Sequence, residues 1–147
     1  MKVQLLEHLK NHLDARMQAA LGAMQSAQSS ANEETKSSAG DKYETARAMA
    51  QIERDRHAQL YDQIRQERAV LDRIDPEFNF QRVGLGTLVK TSAGYFFISV
   101  SVGLVEIDGI KVIAVSPQSP LGASLMGKQQ GDSFPFQQNK CVIEEIG

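Results

Sequence analysis

Cysteine is almost missing from this sequence: Cys141 stands alone, so no internal disulfide can form and no cysteine pair is present to build a zinc knuckle. A free thiol in a terminal strand is its ordinary reading. Long hydrophobic runs are missing too. Met1-Lys2-Val3-Gln4 leads straight into helical periodicity, with neither the apolar stretch of a signal peptide nor a run long enough to cross a bilayer. A cytoplasmic location without membrane contact is expected. An excess of either charge is also absent, since the formal net charge is -2 over 147 residues. Bulk charge therefore does not draw the chain to nucleic acid, and any such role must run through another protein.

Glycine and proline are scarce in the first half only. Before Pro76 glycine occurs at Gly22 and Gly40, whereas nine glycines, three more prolines and the phenylalanines follow it. Ala, Gln, Glu and Arg fill the glycine-poor part and favour helix. Asp75-Pro76 ends it, because proline lacks a backbone donor and restricts the residue before it. Two domains are expected, residues 1–75 and 76–147, in an α+β chain.

Within the first, Leu6, Leu9, Leu13, Met17, Ala20, Met24 and Ala27 recur at helical spacing from about Lys2 to Ala27 or a few residues beyond. Met49, Ile52, Leu60, Ile64, Leu71 and Ile74 mark a second helix from near Asp41 to Ile74. Between them lies a polar interruption, Ser29 to Glu44. A reversal around Glu34 to Ser38 pairs the stripes antiparallel, with Leu21 and Met24 near Ile52 and Met49, and Leu9 and Leu13 near Ile64 and Leu60. The expected result is a projecting antiparallel coiled-coil hairpin; a folded-back bundle or an oligomeric arrangement is the alternative.

In the second half, Gly84 to Val89, Tyr95 to Val102, Ile110 to Ser116 and Cys141 to Ile146 read as strands. Ser119 suits an N-cap, Pro120 the first helical position and Gly127 the exit of a short helix whose Leu121, Leu125 and Met126 cover the sheet. A small, mainly antiparallel sheet packed on one short helix is expected.

Ser119-Pro120, the Leu125-Met126 pair, Gly127-Lys128 and Gly131-Asp132, with Gly86-Thr87-Leu88-Val89 ahead of them and Gly40-Asp41 with Glu44 in the first half, resemble the Gre family of bacterial transcription elongation factors. The resemblance implies a coiled-coil hairpin followed by an FK506-binding-protein-like domain. It also implies bacterial RNA polymerase as partner, the second domain docking at the rim of the secondary channel and the hairpin entering toward the active centre, near nascent RNA. By it, Asp41 and Glu44 are the tip carboxylates that help retain a shared catalytic Mg2+ and orient water, so that polymerase cleaves backtracked RNA.

The factor would then be an accessory rather than an independent enzyme, working as a monomer. Two carboxylates are too few for an isolated magnesium site, so no stable cofactor is expected on the chain alone. Asp41 and Glu44 also match the spacing of a capping box, which is compatible with that role. Glu33, Glu34, Lys42, Tyr43 and Arg47 are further partner-contact candidates at the tip, as are Ser119, Pro120 and Lys128 in the second domain. Lys42 replaces an apolar residue of the family pattern, Thr45 an asparagine and Arg47 an acid. A noncleaving regulator or inhibitor of the same channel is the nearest alternative. A coiled-coil structural or protein-interaction module is the alternative of another class.

Other constellations carry less. His8 and His12 share a helical face without the glutamate of a metalloprotease pair, and His57 is isolated. Tyr95, Phe96 and Phe97 read as strand core, because no basic pattern surrounds them to make a stacking platform. Phe134, Phe136 and Leu121 likewise read as core rather than as a peptide pocket.

Overall fold

The computed structural model describes the backbone of residues 1–37 and 41–147, and the side chains of residues 1–32 and 44–147. Two long helices, α1 (Lys2–Ser37) and α2 (Asp41–Asp72), precede six strands: β1 (Leu88–Thr91), β2 (Gly94–Ile98), β3 (Gly103–Ile107), β4 (Ile110–Val115), β5 (Ser133–Phe136) and β6 (Asn139–Ile146). A short helix, α3 (Pro120–Leu125), lies between β4 and β5. Helix α1 thus runs well past Ala27, and Glu34 to Ser37 are helical rather than part of a reversal. Helix-favouring Ala, Gln and Glu carry it through the polar stretch, assisted by Gln28 Nε2 donating to Asn32 Oδ1 one turn on at 3.3 Å.

The chain packs as two compact units, residues 11–68 and residues 1–10 with 69–147. In the first, Leu13, Met17, Ala20, Met24, Ala27 and Ala31 of α1 are buried or half-buried at alternating spacings of four and three. Arg68 Nε of α2 donates to Asp14 Oδ1 of α1 at 2.8 Å. In the other unit, Lys10 lies 3.7 Å from Asp72, so residue numbers run in opposite directions along the two helices.

The expected stripe of α2 is corrected. Ile64, Leu71 and Ile74 are buried, but Met49, Ile52 and Leu60 are 63%, 65% and 38% exposed. Among the less exposed positions, Ala50, Arg54, His57, Tyr61, Ile64, Arg68 and Leu71 form a run again spaced four and three, with Ala46, Gln51, Ala58, Glu67 and Val70 beside it. Ile64 and Leu71, one heptad apart, fix the phase, and a repeat of 3.5 residues carried back from them puts Tyr61, His57, Arg54 and Ala50 on the seam. That phase turns Ile52 and Leu60 outward.

The sheet has the strand order β3-β4-β2-β1-β6-β5 and is antiparallel except for β2 beside β4. Strands β3 and β5 were not expected. The run Tyr95 to Val102 leaves the sheet after Ile98, where Ser99 donates to Val115 O at 2.8 Å and the chain crosses over to the β3 edge. On one face Val89, Phe96, Ile98, Leu125, Phe134 and Ile143 form a core, with Phe136 5.4 Å from Phe96 in an edge-to-face contact. The core readings of Phe96, Phe134, Phe136 and Leu121 therefore hold, and Cys141 is a buried free thiol.

Alternation along the strands turns Phe97, Val112 and Ala114 to the other face, where they too are buried. Leu5, Leu6 and Leu9 of α1, Leu71 of α2 and Ile74 just beyond it, all in this unit, are buried as well and supply apolar cover. Gln4 Nε2 donates to Asp108 Oδ2 in the β3-β4 turn at 3.3 Å. Lys2 Nζ donates to Phe78 O at 2.6 Å and stands 5.1 Å from the Phe80 ring centroid. Among the described residues, no helix is long and apolar enough to cross a membrane.

Candidate functional site

Two places carry the residues singled out from the sequence: the turn leading into α3, and the start of α2. At the first, Ser116 and Ser119 build a closed turn. Ser119 is extended (φ -66°, ψ 156°), its hydroxyl donates to Ser116 O at 2.7 Å, and Ser119 Oγ in turn accepts from Gly122 N at 3.1 Å. Pro120 follows as the first helical residue, where its missing N–H costs nothing. Gly122 is required by close approach, because a Cβ there would lie 1.9 Å from the Ser116 carbonyl oxygen.

The exit is held as firmly. Gly127 has φ +78°, a left-handed conformation that favours glycine at a helix end. Its N–H donates to Val83 O and Lys128 O accepts from Val83 N, both at 2.9 Å. Gly131 N donates to Ile143 O at 2.8 Å, and the Asp132 carboxylate accepts from Gln129 N at 2.8 Å. The motif from Ser119 to Asp132 is therefore a set of backbone closures that seats α3 against the sheet.

Its surface is narrower than the motif. Pro120 is exposed and Lys128 half-buried, while the Ser119 hydroxyl is engaged within its own turn. Ser116 and Gly122 were missed from the sequence. The repeated Ser-Pro of Ser116-Pro117-Gln118-Ser119-Pro120 was the available signal for the turn.

At the second place, α2 begins at Asp41, and Glu44 is exposed three residues later. Glu44 lines a shallow groove of about 420 Å³ with Arg47, Ala48 and Gln51. A carboxylate and a guanidinium thus share one surface, and Arg47 also has a partner of its own. The side chains of Glu33, Glu34, Asp41, Lys42 and Tyr43 lie outside the described residues. Among the described residues, no group of three or more His, Cys, Asp or Glu converges as a metal site. His57 Nε2 lies 3.5 Å from Glu53 Oε2 on α2.

Among the described residues, two perturbed groups lie on other surfaces. Burial pushes Lys2 below the usual lysine range, against the opposing pull of Asp75 and Glu77. The Asp62 carboxyl is lowered chiefly by its hydrogen bond from Arg65 Nη2, at 2.7 Å. Neither group borders the start of α2 or the α3 turn. The chain matches no protein-family model and no curated protein.

Proposed function

We propose that this chain is a Gre-like regulator of bacterial transcription elongation that binds RNA polymerase through its secondary channel. The observation that carries the reading is a coincidence of order. Helices of 36 and 32 residues, each roughly 50 Å long at 1.5 Å per residue, come first. A sheet domain follows whose Ser-Pro-Leu-Gly turn and Gly-Lys exit are built from the residues that carry the family resemblance. In this reading the second domain is FK506-binding-protein-like and docks at the channel rim through the surface around Pro120 and Lys128. The paired helices form a coiled-coil hairpin that carries Asp41 and Glu44 toward the active centre.

Asp41 and Glu44 together offer at most about four of the roughly six oxygens that magnesium favours, so the donor set fits an ion shared with polymerase carboxylates and not a site on this chain alone. When bound, such an ion would supply activation of water and neutralisation of charge on the phosphate. The chain's own part is to bring two carboxylates to that ion and to orient the attacking water. Arg47, exposed in the groove beside Glu44, favours a second reading in which the same tip occupies the channel without promoting cleavage.

Stalled, backtracked bacterial polymerase with a labelled transcript separates the two. Cleavage stimulated by the intact chain and lost with D41A/E44A supports the catalytic assignment. Binding without cleavage by either form supports the noncleaving regulator. Absence of both binding and cleavage overturns the polymerase reading.

A further inference from the structure

Three large apolar side chains on α2 stand in water while Arg54 and His57 occupy half-buried seam positions. Met49, Ile52 and Leu60 are 63%, 65% and 38% exposed, and at about 100° per residue they line one side of the helix together with Arg56. Single exposed apolar residues need no explanation, but a line of them along one helix does. We propose that this side of α2 is the contact between two copies of the chain, paired antiparallel about a twofold axis. In this pairing residues 41 and 44 lie opposite residues 68 and 65 of the second copy, so the pair separates before the start of α2 enters a polymerase.

The order of side chains along the face is its own complement. Read along α2 it is Met49, Ile52, Glu53, Arg56, His57, Leu60, so reversal sets Met49 against Leu60, Ile52 against the half-buried His57, and acid against base. An axis between residues 54 and 55 brings Met49 against Leu60 of the second copy and Glu53 against Arg56 of the second copy. The symmetry repeats each contact. Within one chain Arg56 Nη2 already donates to Glu53 Oε2 at 2.8 Å, which holds both charges on this side.

A groove of about 450 Å³ lined by Arg56, His57, Gln59, Leu60 and Gln63 lies alongside, and in this register it receives Met49 of the second copy. The competing register, with its axis at residue 56, pairs Ile52 with Leu60 but sets Arg56 against Arg56. Like charge disfavours it.

Sedimentation velocity of the full chain from micromolar to hundreds of micromolar tests the pairing. The weight-average mass should rise from 16.2 kDa toward twice that value. Glu53→Arg and Arg56→Glu each place like charges across both symmetric contacts and should each weaken the dimer at least roughly tenfold. An equimolar mixture of the two variants should restore it, because each then presents the charge that the other lacks. The two side chains are 51% and 67% exposed, so neither change disturbs the fold. A chain that remains monomeric throughout, or a dimer indifferent to both reversals, overturns the proposal.

Discussion

Residues 69–147 with residues 1–10 bury Phe96, Phe97, Phe134, Ile98 and Leu125, while residues 11–68 bury only Leu13, Ala20, Ala31 and Ile64 among the described residues. Cores of three-dimensional packing and seams of paired helices differ in what each side chain contributes. In the sheet unit a ring such as Phe96 meets neighbours from several strands, so stability is shared and cooperative. In the helical unit few side chains are fully buried and Arg54, His57 and Tyr61 hold half-buried positions, so opening there costs less. The unit proposed to enter a partner is therefore the one less committed to its own core.

Phe96→Ala puts the comparison under its largest strain. It should destabilise the sheet unit by about 3–5 kcal/mol, against about 2–3 kcal/mol for Ile64→Ala in the helical unit, both read by denaturant unfolding. A larger loss at Ile64 would break the contrast. Gly122→Ala comes next, because the new Cβ meets a backbone oxygen rather than a flexible side chain. About 3 kcal/mol should be lost, seen as a lower melting temperature; an unchanged melting temperature would show that the α3 turn is softer than its geometry implies.

His57→Leu sharpens the comparison from the other side. Replacing a half-buried polar seam residue by an apolar one should stabilise the helical unit by about 1 kcal/mol, and the corresponding thermal shift is the readout.

The smallest effect concerns Lys2. Its folded pKa is lowered from 10.5, chiefly by burial, so below the folded value the unit holds a charge that folding disfavours. Between the folded pKa and 10.5 the unfolded chain binds more protons than the folded one, and stability contributed by this group rises with pH. The slope should be present in alkaline unfolding curves and absent in Lys2→Met.

Legibility from sequence followed the range of the interactions. The cap at Ser119, the first-turn proline Pro120 and the exit at Gly127 were readable because each is decided within a few residues. The buried Phe96 and Phe97 were readable from a dense aromatic and β-branched run. Strands β3 and β5 were not, because β3 is an edge strand with Leu104 63% exposed and β5 contains Pro135.

The seam of α2 was misread for a physical reason. Apolar identity marked Met49, Ile52 and Leu60, but heptad phase is set by the best-packed pair, Ile64 and Leu71, and it admits Arg54 and His57 in their place. Of the candidate site, the sequence marked Asp41 with Glu44 and the α3 motif. The dependence of that motif on Ser116 and Gly122 was invisible until the close approach of backbone to backbone was known.

The central claim is that the start of α2 reaches the active centre of a polymerase. A photocrosslinking residue at position 44, with a second at the exposed position 120 as reference, tests it most directly in a complex with bacterial RNA polymerase. The account predicts crosslinks from position 44 to the catalytic subunits beside the active-site metal, and from position 120 to the rim of the secondary channel. Crosslinks from position 44 only to the outer surface of the enzyme, or none from either position, would contradict it.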